Sequence, residues 1–186
     1  MKQLILESRL GPLRLIAHKG KLVYCNWVMP DCDAKYKRLS KLLCKELEEC
    51  NFNDEWQGKD KKTLELANSQ LELYFQGEIT SFTLPVEMYG TEFQRRVWQE
   101  ISLIPCGVTI SYGDLGERCG GKGMARAVAN ACGANPLAII VPCHRVTGMN
   151  GKWGGYTGGV EKKISLLSLE NHHNHFSPTG TGEILL

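Results

Sequence analysis

Apolar and polar residues alternate over the first 28 positions in short runs, a pattern typical of β-strands. Three such runs cover 3–7, 13–18 and 22–27. Gly11-Pro12 and Gly20 interrupt them, and both are residues that favour turns. The pattern therefore predicts a small antiparallel meander.

From residue 33 the spacing of apolar positions becomes helical. Apolar residues three or four positions apart predict one helix over 33–50 and a second that ends near Gly77. The basic residues of the first helix are predicted to form a solvated face, which consists of Lys35, Lys37, Arg38, Lys41 and Lys45. The polar segment 51–60 between the two helices is predicted to be a loop.

A third helix is predicted to begin after Thr91, because Thr91 and Gln94 have the spacing of a capping box. Its predicted buried stripe consists of Phe93, Val97 and Ile101. Two further short helices follow between 111 and 136, and a Gly-Gly pair lies between them. This arrangement is typical of a helix-turn-helix.

The chain divides into three parts on these patterns. A boundary near Pro85 separates residues 1–84 from residues 85–170. Residues 171–186 lack periodicity and are predicted to form a flexible tail. They contain three histidines, which we interpret as part of that tail and not as a metal site, so no metal is expected.

Composition narrows the class of protein without identifying it. The chain is 42% hydrophobic and 23% charged, with a net charge of +2, which is ordinary for a globular protein. Charge alone does not predict a nucleic-acid partner. No apolar run is long enough for a membrane span, and no leader is expected at the N-terminus. Eight scattered cysteines without a CxxC pair indicate reduced thiols and a cytoplasmic location.

The strongest chemical signal lies where a buried apolar run, residues 137–141, ends at Pro142-Cys143-His144-Arg145-Val146. A thiol becomes a strong nucleophile when a base removes its proton. Adjacent side chains rarely bond directly, so the imidazole is expected to act through a bridging water. Arg145 is expected to form an ion pair or to brace the loop.

This motif resembles the active-site signature of the O6-alkylguanine-DNA alkyltransferases of the bacterial type. The resemblance implies an α/β (α+β) protein with a small ribonuclease H-like N-terminal domain. It also implies a helical C-terminal domain with a winged-helix-like helix-turn-helix. Such a protein repairs DNA by moving the alkyl group of O6-alkylguanine, or alternatively of O4-alkylthymine, irreversibly onto its own cysteine. One molecule acts once, and no cofactor is implied.

The resemblance also assigns catalytic roles to residues of this chain. Cys143 is the nucleophile, His144 the base, and Glu170 the carboxylate that orients the imidazole. Tyr112 crowds the phosphate of the target nucleotide and donates a proton to the leaving base. Asn135 braces the turn before the active-site segment.

Base extrusion would depend on Arg126, which the resemblance places in the base stack. The helix around it is rich in alanine, and small side chains suit close approach to a minor groove. The DNA-binding alanines are Ala125, Ala127 and Ala129. The implied walls of the substrate pocket are Tyr156, Thr157, Gly158 and Val146. The expected partner is duplex DNA carrying alkylated bases, bound by a monomer.

Two other classes of protein stay open. One is a damage-flagging module that grips lesions without repairing them, although Cys143 argues against it. The other is a helix-turn-helix regulator with a sensor cysteine, which the alanine-rich helix disfavours. A cysteine hydrolase has less support than either, because adjacent Cys and His side chains do not form a nucleophile–base pair directly. Cys132 also stays open as a second reactive thiol. The expected location, cytoplasmic in a bacterium, would be nuclear in a eukaryote.

Overall fold

A computed structural model describes residues 2–28, 35, 37–39, 41 and 58–174, with side chains through residue 171. The predicted helix over 33–50 and the loop over 51–60 therefore lie mostly outside the described residues. The described positions within 33–50 are helical. Residues 175–186, most of the predicted tail, are also outside the description.

The N-terminal region is an antiparallel meander of β1 (Lys2–Leu6), β2 (Leu13–His18) and β3 (Lys21–Trp27) in that order. Helix α1 (Lys59–Gln76) packs against its strands. The meander and this helix confirm the predictions from the sequence. The helix ends where predicted, because Gly77 adopts a left-handed conformation at φ +88° that favours glycine.

The C-terminal region is built on α2 (Glu92–Ser102), α3 (Tyr112–Cys119) and α4 (Ala125–Gly133). The capping box predicted at the start of α2 is present. Helices α3 and α4 pack together as the predicted helix-turn-helix. A Cβ at Gly116 would lie 3.2 Å from the backbone nitrogen of Ala125, so glycine allows the two helices to approach closely.

The buried stripe of α2 differs from the prediction. Val97 and Ile101 are buried as expected, but Phe93 is only half-buried and Trp98 is 1% exposed. The Trp98 indole N–H donates to the carbonyl of Ala131 at 2.8 Å. A satisfied N–H lets this large ring take the core position next to α4.

The apolar run 137–141 is a buried turn, although such a run is also typical of a strand. The turn closes with a hydrogen bond of 2.8 Å from the Val141 N–H to the Leu137 carbonyl, and Ile139 has φ +72°. Cys25 of β3 bonds to this segment through the Pro136 carbonyl and the Ala138 N–H. The N-terminal sheet therefore supports the segment that leads to Cys143.

The last described elements are a parallel pair, β4 (Ile110–Ser111) with β5 (Val146–Thr147), and helix α5 (Val160–Asn174). Helix α5 continues four residues into the segment predicted to be a tail. The helical spacing of Ile164 and Leu167 in the sequence predicts an amphipathic helix with Ile164 on its apolar face. Instead Ile164 is 36% exposed and Lys163 is fully buried. Within the described part of the chain, no helix has both the length and the apolar character needed to cross a membrane.

Candidate active site around Cys143

Cys143 begins a single 3-10 turn, Cys143–Arg145, directly after the buried turn. Its side chain is held by Asn135, whose amide N–H group donates to the sulfur at 3.2 Å and to the Val141 carbonyl at 2.8 Å. The Asn135 amide oxygen accepts from the Leu137 N–H at 2.9 Å. One fully buried asparagine thus fixes both the turn and the thiol. Burial raises the pKa of Cys143, while the Asn135 hydrogen bond and the charges of Lys35 and Lys163 oppose that rise.

His144 and Glu170, both fully buried, form a hydrogen-bonded pair with 2.8 Å between Nε2 and Oε1. Burial lowers the pKa of His144, and the hydrogen bond and charge of Glu170 only partly offset this. The imidazole is therefore neutral at pH 7 and can accept a proton. Its Nδ1 atom has no hydrogen-bond partner among the described residues.

Glu170 is the centre of a buried polar cluster. Arg145 donates from Nε to Oε2 at 3.0 Å and from Nη2 to Oε1 at 2.8 Å, which confirms the predicted ion-pairing role of this arginine. The Tyr74 hydroxyl and the Gly107 N–H donate to the same carboxylate at 2.8 and 3.0 Å. Burial alone would raise the pKa of Glu170, but the hydrogen bonds and charges of His144 and Arg145 outweigh it and hold this pKa well below its usual range.

A cavity of about 330 Å³ opens beside Cys143. Three residues assigned to the site from the sequence, Tyr112, Tyr156 and Thr157, line it together with Cys143. The C-terminal half of α4 and the loop of residues 154–159 supply the remaining lining residues, which are Ala129, Asn130, Cys132, Gly133 and Gly155. The wall is built largely from small side chains, as close contact with a flat ring would require.

Two residues assigned to the pocket from the sequence do not line this cavity. Val146 is fully buried in β5, where it pairs with Ile110. Gly158 faces the N-terminal domain, because a Cβ there would lie 2.3 Å from Cδ1 of Trp27. Its lack of a side chain serves domain packing. The loop of residues 154–159 contains four glycines, and the sequence alone does not reveal which of them faces the substrate.

Lys163 is a site residue that the sequence analysis missed. Its ammonium group donates to the Val146 carbonyl at 2.6 Å and to the Trp153 carbonyl, and it lies 5.9 Å from the ring centre of Tyr112. Burial lowers the pKa of Lys163, and the nearby Cys143 opposes this. Lys162 and Lys163 are adjacent in the sequence, and no local signal there indicates which of the two is buried.

Lys35 is a second residue whose position differs from the prediction. The sequence suggested a solvated lysine, but Lys35 is half-buried and reaches the site from the N-terminal region. Its ammonium donates to the Asn135 carbonyl at 2.9 Å and to the Thr157 hydroxyl at 2.8 Å. Lys35 therefore links Asn135, which holds the Cys143 thiol, to Thr157 of the cavity wall.

Two of the residues assigned to DNA, Tyr112 and Ala129, line the cavity. Arg126 is exposed near the start of α4, and the three assigned alanines, Ala125, Ala127 and Ala129, are half-buried. The Tyr112 hydroxyl donates to the Gly155 carbonyl at 3.5 Å, a long contact. Burial raises the pKa of Tyr112 to about 12, so the phenol keeps its proton at neutral pH.

Comparisons with known proteins agree with this architecture. Residues 1–88 match the family described as 6-O-methylguanine DNA methyltransferase, ribonuclease-like domain. Residues 92–172 match the DNA binding domain of the same family. The structure of Mycobacterium tuberculosis OGT in complex with DNA is 37% identical, with a TM-score of 0.72, and the likeness covers 91% of this chain and 92% of that one.

Two curated relatives carry the same name, methylated-DNA–protein-cysteine methyltransferase. The one from Methanosarcina acetivorans is 39% identical over 166 residues, 89% of this chain and 96% of the relative. The one from Mycobacterium leprae is 54% identical over 106 residues, 57% of this chain and 64% of the relative. The match therefore covers a little under two thirds of the mycobacterial protein.

A sheet domain joined to a helix-turn-helix domain that carries a buried cysteine and an imidazole–carboxylate pair defines the class: a two-domain protein with a candidate cysteine nucleophile. The chain belongs to the 6-O-methylguanine DNA methyltransferase family. The family and the fold class predicted from the sequence are thereby confirmed, with a ribonuclease-like N-terminal domain and a helical DNA-binding C-terminal domain.

Proposed function

We propose that this chain repairs O6-methylguanine in duplex DNA by moving the methyl group irreversibly onto its own Cys143. The observation that carries the proposal is the position of the Cys143 thiol. Cys143 lines a cavity of about 330 Å³, and the next residue in the chain is the neutral His144 of the His144–Glu170 pair. The relatives' shared name describes the same transfer, from methylated DNA to a protein cysteine.

DNA binding would use α4 at the mouth of the cavity. Its alanines allow close approach to the minor groove, which suits readout of shape without sequence preference. The reacting guanine lies inside the duplex and must be extruded into the cavity. In our proposal exposed Arg126 fills the vacated space in the stack, and Tyr112 crowds the phosphate so that the base rotates outward.

The first chemical step would be removal of the thiol proton. Because burial raises the pKa of Cys143, solvent alone ionises little of it at neutral pH. In our proposal one water accepts this proton and passes another to Nδ1 of His144, the nitrogen without a partner among the described residues. Glu170 holds Nε2 and stabilises the imidazolium that forms.

The thiolate then attacks the methyl carbon. A C–S bond forms as the bond between that carbon and guanine O6 breaks, and the electron pair stays with the base. The Tyr112 phenol, which is protonated because its pKa is about 12, donates a proton to the departing guanine. Solvent restores the tyrosine proton and takes the proton from His144. The product is a thioether, so each molecule acts once. Our proposal has a monomer act, and none of its steps calls for a cofactor.

Intact-protein mass spectrometry after incubation with a duplex carrying one O6-methylguanine tests this proposal. We expect a gain of one methyl group per protein, mapped by peptide analysis to Cys143. Cys143→Ala should gain none while it still binds the lesion duplex. Tight lesion binding with no gain by the wild-type chain would instead indicate a damage-flagging module. Sequence-selective binding with no gain would indicate a regulator.

The cellular location of the protein and the range of alkylated bases that it repairs stay predictions. The two relatives named above come from a bacterium and an archaeon, which supports the predicted cytoplasmic location. Duplexes with O4-methylthymine, assayed in the same way, would test the alternative substrate.

A further inference from the structure

The C-terminal end of β3 reaches the active site from the N-terminal domain. Cys25 bonds through its backbone to the segment of the buried turn, and the Asn26 side-chain amide donates to the Asn135 carbonyl at 3.1 Å. The next residue, Trp27, ends the strand and is 2% exposed. Its indole N–H donates to the Tyr156 hydroxyl at 3.3 Å. Three consecutive residues thus contact segments of the active site, and the chemistry proposed above does not use the last of them.

Trp27 does not line the cavity itself but contacts loop 154–159, which does. The indole ring fills the space in front of Gly158, since a Cβ there would lie 2.3 Å from Cδ1 of the ring. On α5, the Lys162 ammonium lies 5.3 Å from the centre of the indole ring, a distance at which a cation and an aromatic ring attract each other. Trp27 is therefore held by contacts with both the loop and α5.

Tyr156 is the side chain through which Trp27 reaches the cavity wall. Tyr156 lines the cavity together with Cys143. Its ring meets the His144 ring edge to face, with 6.5 Å between the ring centres and an angle of 87°. Tyr156 thus contacts a fully buried imidazole and an almost fully buried indole. Because protein interiors are close-packed, the bulk of the indole determines how far this part of the wall can move away from the thiol.

We propose that Trp27 is a positioning residue that limits the size of the alkyl group accepted beside Cys143. It acts through Tyr156 and loop 154–159, which it holds in place at the cavity wall. The inference rests on the proposed function, because it concerns the alkyl group that this function transfers. A smaller side chain at position 27 would leave a void behind the loop, and the surrounding structure relaxes into such a void in part. The relaxed wall would then admit an alkyl group larger than methyl.

The test compares single-turnover transfer from two duplexes of one sequence, one carrying O6-methylguanine and the other O6-benzylguanine. Both duplexes offer the same DNA contacts, so the ratio of the two rates reports on the pocket. We expect Trp27→Leu to raise the benzyl-to-methyl ratio by about 10- to 100-fold, the range over which an apolar pocket discriminates one methylene group. Trp27→Phe keeps a ring against the loop but loses the N–H, and its ratio should lie between those of the wild type and Trp27→Leu.

Leu64→Ala is the matched control, because Leu64 is 3% exposed and lies on α1 in the core of the same N-terminal domain. It should lower the melting temperature while it leaves the benzyl-to-methyl ratio unchanged. An unchanged ratio in folded Trp27→Leu would overturn the inference. An equal rise in Leu64→Ala would also overturn it, since any loosening of the domain would then open the pocket. If Trp27→Leu does not fold, Trp27→Phe decides alone, and an unchanged ratio in that variant overturns the inference.

Direct alkylation of the Cys143 thiol tests the pocket without the repair reaction. The thiolate sulfur displaces iodide from iodoacetamide or from its larger N-benzyl derivative, and peptide mapping quantifies each label on Cys143. The ratio of the larger label to the smaller one should rise in Trp27→Leu, as it does with DNA. If the wild-type chain gains no alkyl group from either duplex, the proposed function is contradicted and this labelling ratio decides the role of Trp27. Normal methyl transfer with both ratios unchanged in Trp27→Leu contradicts only the role of Trp27.

Discussion

The two sides of Cys143 are built in different ways. Behind the thiol, Glu170 is fully buried and accepts hydrogen bonds from Arg145, Tyr74 and the Gly107 backbone, besides its contact with His144. In front of it, largely small residues line an open cavity, and the exposed Arg126 lies on α4, the helix that supplies part of that lining. The groups proposed to transfer the proton are thus fixed by the fold, while the surface proposed to meet DNA stays open. Changes behind Cys143 should affect stability and chemistry together, and changes at exposed residues such as Arg126 should affect DNA binding and base extrusion with little effect on stability.

Removal of the Glu170 charge should have the largest effect on the side behind the thiol. Glu170→Gln leaves the buried Arg145 guanidinium without its carboxylate, which costs about 3–5 kcal/mol of stability when one partner of a buried pair is lost. Loss of the imidazole's partner should also slow methyl transfer by about 10²- to 10⁴-fold. Thermal unfolding and single-turnover transfer rates measure the two effects.

Glu161→Gln, an exposed change on the same helix, is the matched control and should change neither quantity. If Glu170→Gln does not fold, Tyr74→Phe removes one hydrogen bond to the same carboxylate and should cost about 1 kcal/mol. A folded Glu170→Gln protein with the wild-type rate would contradict the role of Glu170.

On the open side, Arg126→Ala should show the reverse behaviour. Arg126 is exposed, so the free energy of unfolding should change by less than about 0.5 kcal/mol. The rate of methyl transfer from a duplex should fall by roughly 10- to 100-fold, because unstacking a base costs a few kcal/mol. The defect should shrink on single-stranded DNA carrying the same lesion, where no base pair has to be opened. Lys122→Ala, also exposed and close in sequence, is the control; an equal defect on both substrates would exclude a role in extrusion.

The sequence revealed the parts of this site that depend on local pattern. Cys143 and His144 are adjacent, and the Thr91–Gln94 capping box needs only three residues of separation. The boundaries of β2 and the C-terminus of α1 follow from alternation and from Gly77 in the same way.

The missed features depend on contacts between distant segments. Tyr74 reaches Glu170 across 96 positions, and Lys35 reaches Asn135 across 100. The helical spacing on α5 was predicted correctly. The pattern could not show that the Val146 and Trp153 carbonyls accept hydrogen bonds from the Lys163 ammonium, or that Ile164 is exposed. A buried lysine is stable only with such partners, and those partners are set by tertiary structure.

The pH dependence of methyl transfer shows which group removes the thiol proton, His144 or solvent. Since burial lowers the pKa of His144, the imidazole stays neutral down to and below the ordinary histidine value of about 6.5. The rate should therefore be flat from pH 9 to about pH 6.5 and fall only at lower pH. If solvent removed the thiol proton directly, the raised pKa of Cys143 would make the rate climb about tenfold per pH unit up to pH 9. Single-turnover rates over this range distinguish the two routes.

The smallest effect is expected at Cys132, the second thiol of the cavity. It lines the same wall as Cys143 and is 6% exposed, yet burial raises its pKa well above the usual range and the nearby Cys143 raises it further. His144 directly follows Cys143 in the chain, whereas the neighbours of Cys132, Ala131 and Gly133, offer no base. Cys132→Ala should therefore transfer methyl groups within about twofold of the wild-type rate, in line with a conservative change to a cavity wall. Peptide mapping of the wild-type protein provides the decisive readout: a methyl group on Cys132, or a second methyl per molecule, would show that the wall in front of the nucleophile is itself reactive.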